Sequence, residues 1–370
     1  MNHMGLRPSV AAKASGLEGV VAADTQLSHV DGERGELIIA GARAEDLALA
    51  ALGQFDAVVE RLLGVATGQA PLDLSAQLAR ARCAAFEQVE ALQGALQLPD
   101  AMDALLAATA QGCAGKDALS ILGALPVYVA AGMRSRAGQA PIAPSAARRH
   151  SADFLVMLGV RADAARARAL DAYWITVSDH GLNASTFAAR VVASTGADVM
   201  PCITAALGAL KGPLHGGAPG PVLDMLDATR SVEPRAWLEA ELAAGRRIMG
   251  MGHRIYRVRD PRAFVFERAL ARLEAEGGAD AAASGRLAQA RRVEQAAEAL
   301  LAERYPERRL RANVEFYTAL LLEALEIPRQ LFTATFAIGR CAGWLAHIEE
   351  QRRTGRLIRP AARYVGALPA

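Results

Sequence analysis

The stretch Lys211-Gly212-Pro213-Leu214-His215-Gly216-Gly217-Ala218 interrupts a long helical pattern and places a histidine between a proline and paired glycines. A second histidine lies in Gly250-Met251-Gly252-His253-Arg254-Ile255-Tyr256-Arg257, shortly before Asp260-Pro261-Arg262. A third lies upstream, in Ser178-Asp179-His180-Gly181-Leu182-Asn183-Ala184-Ser185-Thr186. Loops of this composition let the backbone approach a ligand and let an imidazole ring face a cleft. Of the seven histidines in the chain, these three are therefore the first functional candidates.

On both sides of the first loop, apolar residues recur every three or four positions, which predicts helices. The predicted helices cover residues 45–52, 55–63, 72–92, 101–111, 117–132, 152–159, 162–177, 185–194, 200–210, 221–228, 234–244, 262–277, 287–304, 314–325 and 331–352. An Asp-Gly turn between short apolar runs predicts a small hairpin within residues 17–39. Glycine and proline predict a loop over 134–145, and residues 1–16 are expected to form a loose leader. No alternation of strands and helices occurs, so the predicted fold class is all-α.

Composition limits the function. The 41 basic and 39 acidic side chains nearly cancel, which argues against binding nucleic acid or a membrane surface through bulk charge. The four cysteines are widely separated and show no metal-binding spacing, which is typical of a reducing compartment. No signal-peptide core and no uninterrupted run of 18 apolar residues is found. We therefore expect a soluble, cytoplasmic protein of one or two domains.

The three histidines are compatible with more than one chemistry. A zinc site is disfavoured because the chain contains no His-x-x-x-His pair, and a serine hydrolase because it lacks Gly-x-Ser-x-Gly. The remaining interpretation is that neutral imidazoles polarise a carbonyl group while a carboxylate removes a neighbouring proton. No metal is expected.

The carboxylate for this chemistry is Glu315, within Asn313-Val314-Glu315-Phe316-Tyr317. An apolar setting would raise its basicity, but a carboxylate at a helix start also simply complements the helix dipole. Four arginines near the second histidine are equally ambiguous between a solvated face and a clamp for carboxylates or phosphates. They are Arg254, Arg257, Arg259 and Arg262. Their position directly after a Gly-Met-Gly-His loop favours the clamp.

These motifs give the chain a resemblance to the citrate synthase and 2-methylcitrate synthase family. The resemblance is collinear over nearly the whole chain and is carried by residues 16–35, 178–195, 211–218, 248–262, 313–317, 331–351 and 357–360. It implies an all-α, two-domain homodimer with a short N-terminal hairpin. The large domain would comprise residues 1–216 and 327–370, and the small domain residues 217–326. The active site would lie in the cleft between them, and closure on oxaloacetate would create the acyl-CoA site.

The resemblance also implies roles for individual residues. His215 would stabilise the enol of the thioester, His253 would polarise the oxaloacetate carbonyl, and Glu315 would stand in the place of the catalytic base. The residues implied for oxaloacetate are His180, Asn183, Arg262, Arg340 and, reaching across from the partner subunit, Arg359. Arg257 is implied near the phosphates of coenzyme A. Coenzyme A enters as a thioester substrate, and no cofactor is implied.

The chain also departs from the family pattern. Glu315 replaces an aspartate, which moves the carboxylate by about 1.5 Å, and a misplacement near 1 Å can cost on the order of a hundredfold in rate. Residues 39–42 and 100–106 also differ from the family motifs. The first hypothesis is condensation of acetyl-CoA or propionyl-CoA with oxaloacetate, giving citrate or 2-methylcitrate and CoA. The alternative is a weakly active or non-catalytic paralogue that binds oxaloacetate or CoA and modulates a partner synthase.

Overall fold

A computed structural model describes residues 17, 19–50, 53–216, 220–253, 255–278 and 281–369, with the backbone alone for 281–284. The leader, the glycine at 217, Arg254 and the predicted end of the first helix at 51–52 lie outside the described residues. The helices are α1 (Ala44–Leu49), α2 (Phe55–Thr67), α3 (Leu74–Phe86), α4 (Gln93–Leu96), α5 (Ala101–Gly112), α6 (Ala118–Arg136), α7 (His150–Leu158), α8 (Ala164–Val177), α9 (Ala184–Ala193), α10 (Val199–Lys211), α11 (Gly220–Ala228), α12 (Pro234–Ala243), α13 (Pro261–Ala275), α14 (Ala281–Arg304), α15 (Val314–Ala324) and α16 (Phe332–Thr354). The predicted all-α class is confirmed.

The predicted hairpin is present and is extended by a third short strand. Strands β1 (Ser28–Asp31) and β2 (Glu36–Ile39) pair antiparallel, with Ser28 opposite Ile39, and β3 (Ala42–Arg43) pairs with β2. The turn between β1 and β2 lies against the His253 loop. The carbonyl of Gly32 accepts the backbone N–H of Arg257 at 2.9 Å, and a Cβ on Gly32 would come within 2.4 Å of the Ile255 carbonyl oxygen. A glycine is therefore required where the turn meets this loop.

Side-chain caps begin several of the helices that carry site residues. Asn183 accepts the N–H of Thr186 at the start of α9, and Asn313 accepts the N–H of Glu315 at the start of α15. Asp260 caps α13, where Pro261 occupies the first helical position. Each cap satisfies N–H groups that have no partner within the helix and contributes about 1 kcal/mol. Asn183 is thus a structural cap in this fold, whatever its role towards a ligand.

Helix α16 forms the centre of the core and packs against α2, α6, α8, α9 and α10. The side chains from Ala334 to Ile348 are almost all buried, including Trp344. Helix α6 is buried from Ile121 to Gly132, as expected for a helix that is apolar on every face. It is the one described helix long and apolar enough to cross a membrane, and 67% of the relevant window is buried inside the fold.

Several predicted boundaries were wrong; for example, α2 ends at Thr67 rather than at residue 63, and α14 begins at Ala281 rather than at residue 287. The helix predicted for residues 72–92 ends at Phe86, and turns lead from there to α4. Helix α6 continues to Arg136 instead of stopping at Gly132, so the predicted loop begins later. Gly132 lies inside the helix at a point where a Cβ would be 3.2 Å from the Leu96 carbonyl oxygen, so the glycine permits close packing. From the sequence alone, a glycine that allows close packing looks the same as a glycine that ends a helix.

Helices α11 to α15 pack chiefly on one another, and α13 also packs against α8 and α1. Near the C-terminal end of α13, the buried Arg166 of α8 donates to the Gly278 carbonyl at 2.9 Å and pairs with Glu326 at 2.6 Å. This end of α13 is therefore held by α8, while its other end carries Arg262.

Candidate active site

The loop that carries His253 is paired with the segment that leads into α15. The N–H of Gly252 donates to the carbonyl of Arg311 at 2.7 Å, and the N–H of Asn313 donates to the carbonyl of Gly250 at 2.9 Å. The Asn313 side chain adds a bond to the Gly252 carbonyl at 2.9 Å. Gly252 adopts a φ of +84°, which other residues rarely reach. These bonds hold His253 beside the helix start that carries Glu315.

Two backbone hydrogen bonds favour one tautomer of His253. Its Nδ1 accepts the backbone N–H groups of Ile255 and Tyr256, each at 3.1 Å. Backbone N–H groups only donate, so Nδ1 is unprotonated and the proton of the neutral ring lies on Nε2. Arg262 Nη2, which also only donates, lies 3.2 Å from Nε2. Both ring nitrogens of His253 thus face N–H donors, and an oxygen acceptor that binds both Nε2–H and Arg262 would relieve the opposition between these two donors.

His180 is buried beside the same loop. Its Nε2 is 3.0 Å from the hydroxyl of Tyr256, and its ring meets the His253 ring edge-on at a centroid distance of 5.8 Å. The Arg262 guanidinium lies 5.8 Å from the centre of the Tyr256 ring. The structure therefore brings together three of the predicted residues, His180, His253 and Arg262, around a tyrosine for which no role was predicted.

Arg262 is buried and is held by Asp260. Its Nε and Nη2 donate to the two carboxylate oxygens of Asp260 at 3.0 and 2.7 Å. The second oxygen also accepts the N–H of Val314 at 3.2 Å. Asp260 thus fixes the Arg262 side chain and ties α13 to the start of α15.

His215 belongs to a neighbouring group of side chains. Its Nε2 lies 3.3 Å from the backbone N of Ser185, which donates to it, and 2.8 Å from the Ser185 Oγ. The proton of the neutral ring therefore lies on Nδ1. Ser185 Oγ also accepts the indole N–H of Trp344 at 3.1 Å. Its single proton can be donated either to His215 Nε2 or to Asn183 Oδ1, which lies at 2.8 Å.

One face of α16 contacts the segment that carries His180. Four residues spaced as i, i+3, i+4 and i+7 lie on this face: Arg340, Gly343, Trp344 and His347. Arg340 donates to the carbonyl of Val177, and Gly343 lies so close to Ser178 that a Cβ would be 2.1 Å from its carbonyl oxygen. The His347 Nε2 is 3.1 Å from the Asp179 carboxylate, which in turn accepts the N–H of His180 at 2.8 Å.

The Arg340 guanidinium is a buried cation with few partners. It stacks on the Phe336 ring at 4.6 Å, and no acidic side chain of the described chain forms an ion pair with it. Burial lowers the pKa of Arg340 to about 10, and Asp179 opposes the shift. The group remains charged at neutral pH and favours an anion nearby.

Burial and two nearby arginines keep the three histidines neutral. Burial lowers the pKa of His215 to about 4, aided by Arg340, and that of His253 to about 4, aided by Arg262. Burial, with both arginines, also holds the pKa of His180 well below its ordinary value. Neutral imidazoles in a field of two cations are suited to donating hydrogen bonds to a negatively charged or polarised oxygen.

Glu315 lies half-buried in the first turn of α15. Burial raises the pKa of Glu315 to about 7, against the pull of Arg262. A carboxylate with this pKa is a stronger base than an exposed one and is substantially ionised at neutral pH. The influence of Arg262 on Glu315, His180 and His253 places all three in one electrostatic environment.

Other predicted residues lie apart from this cluster. Arg259 is bound to Glu294 at 2.7 Å and Glu267 at 2.9 Å, so the predicted clamp was wrong for this arginine. Arg257 is exposed and lines a cavity of about 700 Å³ together with Arg308 and Arg309. Arg359 lies exposed in the chain that follows α16, with no regular secondary structure.

Sequence patterns missed several residues of the site. Tyr256, Asp260 and Ser185 were visible within the histidine motifs, but no spacing rule assigned them a partner. Trp344 has the appearance of an ordinary core residue on an apolar helix. The available signal was their position between candidate residues; their contacts depend on chain segments 70 to 160 residues away, as for the Tyr256–His180 and Trp344–Ser185 pairs.

Comparison with known proteins identifies the family. A family model described as the citrate synthase C-terminal domain matches residues 16–361. The chain belongs to the citrate synthase family. A "citrate synthase" of Haloferax volcanii is 34% identical over 377 residues and covers 95% of both chains. A "2-methylcitrate synthase" of Mycobacterium tuberculosis is 35% identical over 369 residues and covers 95% of this chain and 90% of its own.

Two further relatives complete the comparison. A "putative citrate synthase 2" of Mycobacterium tuberculosis is 46% identical over 220 residues. This match spans 59% of the chain and only 57% of that relative. The citrate synthase of Thermoplasma acidophilum, solved as a ternary complex with carboxymethyl coenzyme A and oxaloacetate, superposes with a TM-score of 0.83 at 27% identity. That superposition covers 96% of both chains. The predicted family and two-domain, all-α architecture are thus those of citrate synthases.

Proposed function

We propose that this protein condenses a short acyl-CoA, acetyl-CoA or propionyl-CoA, with oxaloacetate and releases CoA with citrate or 2-methylcitrate. One observation carries the proposal beyond family membership. Backbone N–H groups donate to Nε2 of His215 and to Nδ1 of His253, which favours a proton on the other nitrogen of each neutral ring. Two imidazole N–H donors match the two carbonyl oxygens that a condensation must polarise.

The chemical steps follow from these groups. Glu315 removes a proton from the carbon next to the thioester carbonyl, and His215 donates its Nδ1–H to the oxygen of the resulting enol. The enol carbon then attacks the ketone carbon of oxaloacetate, whose oxygen accepts the Nε2–H of His253. Water hydrolyses the thioester of the condensed product, which releases the CoA thiol and the tricarboxylate. The glutamate that replaces the family aspartate is proposed to act as this base.

The carboxylates of oxaloacetate are assigned to His180, Arg262 and Arg340, with Asn183 beside them. Arg340 supports this assignment because it is buried and charged without an acidic partner in the described chain. Arg262 keeps its orientation through Asp260, and guanidinium groups bind carboxylates through paired hydrogen bonds. Arg359 is proposed to complete the site of the partner subunit in a homodimer.

Coenzyme A phosphates are assigned to Arg257. It lines the cavity of about 700 Å³, where Arg308 and Arg309 add positive charge. Two other arginines of this cavity, Arg259 and Arg311, already pair with Glu294 and Glu298. Phosphate binding therefore rests on Arg257, Arg308 and Arg309 rather than on the whole cluster.

The domain arrangement, domain closure and cellular compartment are also proposed from the family resemblance. Residues 217–326 would form a small domain that closes over the large domain, 1–216 and 327–370, once oxaloacetate is bound. The cytoplasm is the proposed compartment. A non-catalytic, modulating paralogue is not favoured, because the family match extends to full-length citrate synthases and backbone N–H groups favour suitable tautomers of His215 and His253.

A thiol-release assay tests the proposal. Purified protein is given oxaloacetate with acetyl-CoA or propionyl-CoA, and free CoA is measured against time. We expect release that depends on oxaloacetate, is strongly reduced in His215→Gln, and is unchanged in His29→Gln, a substitution of an exposed strand residue. Thermal stabilisation by oxaloacetate without CoA release from any short acyl-CoA would reject the catalytic proposal and support the binding paralogue.

A further inference from the structure

Tyr256 lies among His180, His253 and Arg262 and is 1% exposed. Its backbone N–H donates to His253 Nδ1 at 3.1 Å, and its hydroxyl lies 3.0 Å from His180 Nε2. The ring packs 4.8 Å from the His253 ring and 5.6 Å from the His180 ring. Tyr256 thus contacts both histidines through polar groups, with different parts of the same residue.

The direction of the hydroxyl bond follows from counting donors and acceptors. If Tyr256 donates to Nε2, its own proton and that nitrogen are both satisfied, and His180 keeps one N–H at Nδ1. If His180 donates instead, the phenol proton has no acceptor in the described chain. A buried donor without an acceptor costs about 1–3 kcal/mol, so the first arrangement is favoured.

The surroundings agree with this direction. Burial raises the pKa of the Tyr256 hydroxyl, so the group keeps its proton and can donate. His180 is neutral and is flanked by the charges of Arg262 and Arg340. An N–H at Nδ1 adds a donor to a region that already attracts anions, whereas a bare Nδ1 would repel a carboxylate oxygen.

We propose that Tyr256 is a positioning residue that selects the tautomers of two histidines at once, His253 through its backbone N–H and His180 through its phenol hydroxyl. Both rings then present an N–H to oxaloacetate. The inference rests on the oxaloacetate-binding roles proposed for His180 and His253. Ile255 shares the backbone contact to His253, so the hydroxyl is the part of Tyr256 without a substitute.

The test separates the two contacts. Tyr256→Phe removes the hydroxyl and leaves the backbone bond to His253. Tyr173→Phe is the matched control, because Tyr173 is fully buried and its hydroxyl has no hydrogen-bond partner in the described chain. Both variants lose one buried hydroxyl, but only the first loses a contact to a histidine.

The first measurement is a ¹⁵N–¹H spectrum of substrate-free, histidine-labelled protein, assigned by His180→Gln and His253→Gln. We expect the His180 proton on Nδ1 in the wild type and in Tyr173→Phe, and a mixture of tautomers or a shift to Nε2 in Tyr256→Phe. A wild-type proton on His180 Nε2 would overturn the proposal by itself, even if Tyr256→Phe did not fold. Since no substrate is present, this result is independent of the proposed reaction.

The second measurement is steady-state kinetics. We expect Tyr256→Phe to raise the KM for oxaloacetate about tenfold, the typical effect of one lost hydrogen bond, with kcat within about threefold. Tyr173→Phe should leave both constants within about twofold. If the KM for oxaloacetate changed equally in the two variants, the hydroxyl would have no positioning role.

Discussion

The Asp260 carboxylate and the Arg262 guanidinium form a two-point ion pair, at 3.0 and 2.7 Å, inside the first turn of one helix. Both side chains are almost fully buried. The same carboxylate caps α13 and accepts the N–H of Val314, one residue before the proposed base. A single acidic side chain therefore aligns a substrate-binding cation with the helix that carries Glu315.

Replacing Asp260 should be costly for stability. Asp260→Asn leaves a buried arginine without its counter-ion, and we expect the free energy of unfolding to fall by about 3 kcal/mol, measured by urea denaturation. Glu241→Gln, which breaks a two-point pair with Arg246 at the surface, should cause no measurable change. Equal stability of the two variants would contradict the structural role assigned to Asp260.

The length of the Glu315 side chain should matter. Glu315→Asp withdraws the carboxylate by about 1.5 Å, and we expect kcat to fall on the order of a hundredfold in the thiol-release assay. Glu315→Gln keeps the shape but removes the base, and should lose about 10²- to 10⁴-fold. A faster Glu315→Asp enzyme would instead mean that the glutamate is a decayed base. Full activity of Glu315→Gln would exclude it as the base altogether.

The pH dependence of the reaction should report the same carboxyl group. Burial raises the pKa of Glu315 to about 7, and only its ionised form accepts a proton. The value of kcat/KM for acyl-CoA should therefore rise with pH, pass its half-maximum near pH 7 and be lost as pH falls below that value. His215 and His253, with pKa values of about 4, should not contribute. Persistence of this limb in the residual activity of Glu315→Gln would assign it to another group.

Close packing of α16 can be tested at a glycine. A Cβ on Gly343 would be 2.1 Å from the Ser178 carbonyl oxygen, so Gly343→Ala should destabilise the fold by about 1–3 kcal/mol and raise the KM for oxaloacetate. Gly208→Ala, in α10, meets only a Leu106 methyl group at 4.0 Å. We expect that control to be neutral or to stabilise by up to about 1 kcal/mol in thermal unfolding. Equal melting temperatures would argue against the packing constraint.

Much of the fold could be predicted because its signals are local. Apolar periodicity located the helices, and glycine-rich loops singled out His180, His215 and His253. Which side chain an arginine pairs with is not determined by its neighbours in the sequence. Arg259 and Arg262 are three residues apart and looked alike in the sequence, yet the first is bound by Glu267 and Glu294, and the second lies beside His253. Which arginine meets a histidine depends on how α13 and α14 pack, and no single-sequence pattern records that packing.

The contacts of α16 restrict insertions and deletions within this helix. Arg340, Gly343, Trp344 and His347 each contact the segment from Val177 to Ser185 from one face of the helix. Inserting or deleting one residue between them would rotate the later members by about 100° and misalign their contacts together. Gaps between homologous chains should therefore be absent from this part of α16 and collect in the loops, whereas substitutions on its other faces remain tolerable.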